Sequence, residues 1–214
     1  MAEQNGRLTQ AERRSRSEAA LLDAAAHLIA ERGVEGASMA DIGAFAGFSR
    51  GLAGHHFGSK DALVATLAER AQERIAAGMV AKVEKQSRRV EELSGLEVVH
   101  LTVDSYLELF EDPGESERAL LVMWGSTFPA RSSVDGMVEA ERRSYDGLAD
   151  VIASGQADGS IREDVEPGTA AVLVLGMMRG IAALLLTDAG ITDMTSVRKT
   201  CNEWIDSSLG RAEV

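Results

Sequence analysis

Apolar residues recur at intervals of three and four along almost the entire sequence, and this spacing constrains the fold more than any other feature. It places one apolar stripe on an α-helix, whereas a half-buried strand needs alternation at every second residue. The prolines, Pro113, Pro129 and Pro167, fall between the periodic segments, where the loss of a backbone donor is tolerated. We therefore predict an all-α fold of about nine helices.

The periodic segments are short before residue 60 and longer beyond it. Ser38 and Ser49 are the predicted N-caps of two short helices, and Ser59 is the predicted N-cap of a longer one. Later helices are predicted at 95–111, 115–128, 133–155, 168–188 and 193–209. The chain is thus expected to consist of a three-helix module, residues 1–60, and a larger helical body, residues 61–214.

Charge is distributed unevenly between these two parts. The 214 residues include 22 Lys plus Arg and 34 Asp plus Glu, for a net charge of −12. Basic and acidic residues balance within residues 1–60, so the whole negative charge lies in residues 61–214. An acidic body repels phosphate, and we therefore expect any nucleic-acid contact to be confined to the first 60 residues. The alternative is that the net charge serves only solubility.

Composition also narrows the compartment. The only cysteine is Cys201, which excludes an intrachain disulfide and fits a reducing environment. The sequence starts with polar residues and shows no secretory signal. Its most apolar run, Ala170 to Leu186, is shorter than the roughly 20 residues of a membrane span and contains Arg179. We expect a cytoplasmic protein without a membrane segment.

The segment from Ser38 to Phe57 has the spacing of a helix-turn-helix, with a glycine-containing turn between two short helices. Arg50 is expected at the second position of the recognition helix, where it would read a base edge, most plausibly of guanine. Lys60 is expected to meet a phosphate. The full set of candidate DNA-contacting residues is Ser38, Ser49, Arg50, Gly51, Leu52, His55, His56 and Lys60.

Patterns that would indicate catalysis or a cofactor are weak. Gly47 to Gly51 matches the G-x-S-x-G string of serine hydrolases, but that chemistry needs a strand before Ser49, and a helical pattern precedes it. His55 and His56 are adjacent and would project about 100° apart on a helix, which suits no single metal ion. We expect no catalytic residue, no metal and no cofactor.

Aromatic and methionine side chains concentrate in the body, where they could line a ligand cavity or simply fill the core. Trp124 is the principal candidate for a cavity wall, and Thr127 is a candidate polar anchor. The full set of candidate ligand-binding residues is Tyr106, Phe110, Met123, Trp124, Thr127, Phe128 and Met177. A cationic or amphipathic ligand fits the aromatic residues and acidic body, and a neutral apolar ligand remains open because the set contains no carboxylate.

The apolar run beyond residue 168 covers more than one helix face, so part of it is expected to pack on a second chain. We predict that the helices at 133–155 and 168–188 pair with their two-fold mates, with Leu173, Met178, Arg179 and Ile181 at the interface. Arg179 has two possible roles. It could pair with a carboxylate of the other chain, or it could face the cavity and bind an anionic head group.

Residues Arg16 to Leu63 resemble the TetR family of transcriptional repressors. The resemblance rests on an ordered set of short strings and covers about a quarter of the chain. The strings are Ala24-Ala25, Glu31-Arg32-Gly33, Ser38-Met39-Ala40-Asp41-Ile42, Ala46-Gly47-Phe48-Ser49-Arg50-Gly51, Phe57, Ser59-Lys60-Asp61 and Leu63.

One position departs from the family pattern. Many members carry a tyrosine that touches a DNA phosphate where this chain has Gly54. The local string from Gly51 to Phe57 looks more like the subgroup of choline-responsive BetI repressors, which has a small residue there. The tyrosine contact is therefore not expected, and His55 or His56 would take a larger share. A choline ligand does not follow from this likeness.

The resemblance implies a one-component regulator of transcription that binds a pseudo-palindromic operator in double-stranded DNA as a homodimer. A small effector bound in the body would release the DNA, as expected of a repressor. Two alternatives remain at this stage: a DNA-binding protein that needs no effector, and a serine hydrolase that uses Ser49.

Overall fold

The computed structural model describes residues 9–85, 88–126, 135–188, 190 and 193–211. Within these residues the fold is all-α, with nine α-helices and a single 3-10 turn at Val90–Glu92. The helices are α1 (Gln10–Gly36), α2 (Met39–Phe45), α3 (Leu52–Phe57), α4 (Lys60–Lys85), α5 (Gly95–Leu109), α6 (Glu115–Ser126), α7 (Asp135–Asp158), α8 (Pro167–Thr187) and α9 (Met194–Leu209). The prediction of an all-α chain is confirmed.

The helix boundaries follow capping residues and prolines. Ser38 accepts a hydrogen bond from the Asp41 amide at 3.1 Å, and Ser59 accepts one from the Ala62 amide at 3.1 Å, as the sequence predicts. The prediction that Ser49 caps α3 is wrong. That helix begins at Leu52 with Gly51 at its N-cap and no side-chain cap, because residues 49–51 form a turn first.

The predicted loop from Gly155 to Gly168 is shorter in the structure, because α7 continues to Asp158. Gly155 lies inside the helix, where a Cβ atom would come within 2.6 Å of the Ile161 side chain. A glycine in the middle of a helix thus marks a close contact rather than a helix end, and the turn falls at Gly159, whose φ is +82°.

Two apolar clusters organise the chain. The first contains α1, α2, α3 and the first half of α4, together with Ala119 and Met123 of α6 and Ala140 of α7. The second joins α5, α7, α8 and α9. The most extensive contact between two helices is that of α1 with α6. The N-terminal module is therefore built directly onto the body through α6.

Helix α8 is long and apolar enough to cross a membrane by length and composition alone, with a mean hydropathy of 2.0 and 33% of its most apolar window buried. Its buried face packs on α5, α6 and α7, and its Arg179 forms an ion pair with Glu141 of α7. We interpret α8 as a core helix with one apolar face that the single chain leaves uncovered.

Candidate functional site

The helix-turn-helix depends on two glycines. A Cβ atom on Gly43 of α2 would lie 2.6 Å from the carbonyl oxygen of Ser49, so only glycine lets α2 approach the turn before α3 this closely. Gly47 has φ +78°, a conformation that costs other residues free energy, and it reverses the chain after α2. The two short helices are thereby fixed against each other with the turn at residues 49–51 on the outside.

This turn and the start of α3 form an exposed face. Ser49, Arg50, Gly51 and His55 are exposed there, whereas Leu52 is half-buried. Arg50 lies in the turn before α3, two residues ahead of the first helical residue, and not at the second position of the helix as predicted. Its side chain is still available to a groove into which the N-terminal end of α3 would point.

His56 does not belong to this face. Its Nε2 lies 3.0 Å from the hydroxyl oxygen of Ser17 on α1, and its Nδ1 is buried. Both ring nitrogens are turned into the module, so the predicted DNA contact of His56 is replaced by a contact that holds α3 on α1. The sequence could not separate His55 from His56, because either could face outward depending on the rotation of a six-residue helix.

Ser38 and Lys60 flank the exposed face. Ser38 donates a hydrogen bond to the Asp41 carboxylate at 2.6 Å while it caps α2, and it remains exposed. The Lys60 ammonium lies 3.8 Å from the carboxylate of Glu35, and its side chain is half-buried. A phosphate at Lys60 would therefore have to compete with Glu35, a carboxylate that the sequence reading did not connect with it.

The junction between the module and the body centres on His27 of α1. Its Nδ1 lies 2.6 Å from Oε1 of Glu115 on α6, and its ring stacks on Phe45 of α2 with 4.5 Å between the centroids. A second polar link joins Arg74 of α4 to the buried Glu117 of α6 at 2.7 Å. Sequence reasoning missed His27 because its partner lies 88 positions away in the chain.

A cavity of about 430 Å³ lies in the body between α4, α5, α6, α7 and α8. This is within the usual range for small-molecule sites. Its exposed wall residues Ala76, Arg143 and Gly147 open it to solvent between α4 and α7. The other lining residues are Gln72, Ile75, Met79, Val98, Thr102, Tyr106, Leu120, Leu121, Trp124, Glu141, Ser144, Leu148, Val151, Leu175, Met178 and Arg179.

Charged and aromatic groups meet at one part of this wall. Arg179 of α8 forms an ion pair with Glu141 of α7, and its guanidinium carbon lies 5.4 Å from the centroid of the Trp124 ring. Burial raises the pKa of the Glu141 carboxyl above its ordinary value, against the opposing effect of Arg179. Burial likewise raises the pKa of Tyr106, so its hydroxyl keeps its proton and remains a donor.

The predicted ligand-binding residues divide into three groups. Tyr106 and Trp124 line the cavity, while Phe110 and Met123 are buried in the core and Met177 lies beside the second apolar cluster. The remaining two, Thr127 and Phe128, lie outside the described residues. The lining residues of α4, at positions 72, 75, 76 and 79, were missed, although their spacing is that of one helix face.

The predicted interface residues differ in their exposure and in whether they line the cavity. Leu173 is exposed at 54%, whereas Met178 is only 3% exposed and lines the cavity. Ile181 is half-buried. Arg179 pairs with Glu141 of its own chain and lines the cavity, but it also borders the exposed face of α8 beside Val172. Met178 is therefore corrected from an interface residue to a cavity residue, whereas an interface role of Arg179 stays a prediction.

The hydrolase reading of Ser49 is not supported by its position. Ser49 lies in an exposed turn between two helices, and a nucleophile elbow requires the serine to follow a strand.

Comparison with known proteins finds a matching family model and structures with a similar fold. Residues 21–67 match the family model of the bacterial regulatory proteins of the tetR family. A search of curated proteins found no match. A TetR-family transcriptional regulator from Rhodococcus sp. is structurally similar, with a TM-score of 0.73 and 21% identity over 92% of this chain and 100% of that chain.

Two further structures share the fold. A transcriptional regulator from Saccharomonospora viridis in complex with choline has a TM-score of 0.68 and 21% identity, over 92% of this chain and 100% of that one. FadR from Bacillus subtilis in complex with stearoyl-CoA has a TM-score of 0.68 and 17% identity, over 87% of this chain and 96% of that one. Residues 21–67 are therefore similar to the bacterial regulatory proteins of the tetR family, and the described residues share the all-α fold of these three solved regulators.

Proposed function

We propose that this protein is a ligand-responsive, one-component regulator of transcription that acts as a repressor. A homodimer binds a pseudo-palindromic operator through residues 1–60, and a small effector bound in the body, residues 61–214, releases it. The protein performs this role in the cytoplasm, where it meets both the DNA and the effector.

The observation that carries this proposal is the double role of α6. Met123 is fully buried in the apolar cluster of the N-terminal module, and the next residue, Trp124, lines the cavity while it packs against the same cluster. A ligand that displaces Trp124 therefore acts on a side chain in direct contact with the core that holds α1 to α4. Packed side chains that contact both sites can carry coupling between them.

The dimer is supported by the uncovered face of α8. Val172, Leu173 and Leu184 are each more than half exposed on this face, and Val138 of α7 is exposed nearby. Glycines and small residues between them, at positions 176, 180 and 183, would let a second helix approach closely. A two-fold dimer would carry two recognition helices, and a pseudo-palindromic operator requires them to lie about one DNA turn apart.

Selection of binding sites from a pool of random DNA duplexes tests the DNA-binding half of the proposal. We expect the wild-type chain to enrich a two-fold symmetric sequence. Arg50→Ala should cost about 1–3 kcal/mol and relax the preference at one base pair per half-site. Lys60→Ala should weaken all sequences alike and reduce the dependence of affinity on salt.

Lys199→Ala, a substitution on the exposed surface of α9, is the matched control that should leave both properties unchanged. Failure of the wild-type chain to enrich any sequence would contradict the proposal. Uniform loss of affinity in Arg50→Ala would remove only the base-reading role of Arg50.

A further inference from the structure

Building on the proposed effector site, we infer that the cavity binds an uncharged amphiphile. A hydrogen-bond-accepting oxygen of this ligand meets Arg179 and Tyr106, and its apolar body extends along α7. Ester, ketone and lactone oxygens have this chemistry.

The cavity is elongated along α7. Glu141 and Val151 both line it, and ten residues of helix separate them by about 15 Å. Tyr106 and Val98 of α5 line the same space at positions about 12 Å apart along their helix. Val151 and Val98 belong to the same end, because Gly95 of α5 packs against the Val151 carbonyl. The shape therefore suits a long, narrow ligand.

The two ends differ in polarity. Arg179, Glu141 and Tyr106 lie at one end, where Gln72 and Ser144 also line the cavity and are hydrogen-bonded to each other at 2.8 Å. Val98, Val151 and Met79 form the other end, where the nearby Thr102 hydroxyl is directed to the Val98 carbonyl at 2.8 Å. A ligand with one polar end and one apolar end matches this division.

At the polar end the charges of Arg179 and Glu141 cancel, and Arg143 at the opening is paired with Glu69 and Glu139. Arg179 is 15% and Glu141 26% exposed in their side chains, so both are largely withdrawn from water and depend on each other for neutralisation. A ligand anion at Arg179 would either displace Glu141 and leave that carboxylate without its partner, or bind beside it and bring a second negative charge close to the first. Removing one partner from such a pair is strongly unfavourable.

A ligand cation would be repelled by the positive charge of Arg179. The aromatic face that would attract it is the Trp124 ring, and the guanidinium of Arg179 already lies over that ring. A cation there would face like charge at close range. A neutral oxygen has neither problem, because a guanidinium carries five N–H donors and the ion pair uses only part of them.

Three probes of matched chain length test this inference: methyl decanoate, decanoate and decyltrimethylammonium. Each is titrated into the full chain carrying Trp204→Phe, so that Trp124 is the only tryptophan and its emission reports the cavity. Trp204 lies on α9 and outside the cavity lining. We expect methyl decanoate to bind at least about tenfold more tightly than either charged probe at neutral pH.

Two substitutions should reverse this order. Glu141→Gln leaves Arg179 unpaired and should favour decanoate, and Arg179→Gln leaves Glu141 unpaired and should favour decyltrimethylammonium. If either variant fails to fold, the order of the three probes on the Trp204→Phe chain still decides the question.

Tighter binding of decanoate or decyltrimethylammonium by that chain would overturn the inference but leave a ligand-binding regulator in place. If none of the three probes changes Trp124 emission or the melting temperature, both the inference and the proposed effector role of the cavity are contradicted.

Discussion

His27 on α1 donates a hydrogen bond to Glu115 on α6, with 2.6 Å between Nδ1 and Oε1, and so connects the N-terminal module to the helix that borders the cavity. The same imidazole stacks on Phe45 of α2 and lies 3.5 Å from the Glu31 carboxylate. One side chain thus contacts three helices at the junction between the two parts of the chain.

Replacing His27 tests the strength of this junction. His27→Ala removes both the hydrogen bond and the stacking, and we expect it to lower the free energy of unfolding by about 1 kcal/mol. His27→Asn can still donate to Glu115 and should lose less. Urea denaturation of the two variants and the wild type measures the difference. Equal stability of all three proteins would show that the contact contributes nothing to the junction.

Gly43 and Gly54 form a matched pair within the helix-turn-helix. Gly43→Ala would force a Cβ atom to within 2.6 Å of the Ser49 carbonyl oxygen and should destabilise the protein by about 1–3 kcal/mol. Gly54→Ala, inside α3 with open space around it, should stabilise the protein by about 0.5–1 kcal/mol. Thermal unfolding, followed by circular dichroism, gives the melting temperatures of the Gly43→Ala and Gly54→Ala variants and of the wild type. Equal effects would mean that α2 and α3 are not closely packed.

Substitutions at two residues of α8 distinguish the proposed dimer interface from the core of the single chain. Leu173→Glu places a charge on the exposed face and should dissociate the dimer while the helical content is retained. Met178→Glu places it in the buried wall of the cavity and should unfold the chain. Sedimentation and circular dichroism distinguish the two results. A stable Leu173→Glu dimer would move the interface to another face.

Glu97, near the start of α5, links stability to pH. The Arg88 guanidinium, 2.7 Å away, and the Ser94 amide lower the pKa of Glu97 from 4.5 to about 2. Because the folded-state pKa is lowered, this stabilisation is present above pH 4.5 and is lost as the pH falls toward 2.

The stability difference between the wild type and Glu97→Gln should therefore be largest at neutral pH and shrink as the pH falls below 4.5. Chemical denaturation across this range measures it. A difference that does not change with pH would contradict the assigned cause.

The order and extent of the helices could be predicted because local chemistry determines them. Ser38 and Ser59 cap helices through contacts within three residues, and Pro167 stands at the first position of α8. The start of α3 was misplaced because Ser49 has the composition of a cap but lies in a turn that precedes the helix. Short helices leave too few residues for periodicity to correct such an error.

The cavity was only partly predictable, because the rotation of each helix decides which residues line it. Met177 and Met178 are neighbours on α8, yet only Met178 lines the cavity. The apolar residues of α8 lie on all sides of the helix, so its sequence does not indicate which side faces the cavity. Arg179 of α8 pairs with Glu141 of α7, and local sequence patterns do not predict a contact between two separate helices.

In the proposed mechanism, occupation of the cavity controls the affinity of the helix-turn-helix for DNA. The test is the Kd of the Trp204→Phe chain for the duplex selected by the protein, with and without saturating methyl decanoate. We expect the probe to weaken DNA binding by about 5- to 150-fold, the usual range of coupling between sites. An unchanged Kd, under conditions where Trp124 fluorescence shows that the cavity is filled, would contradict it.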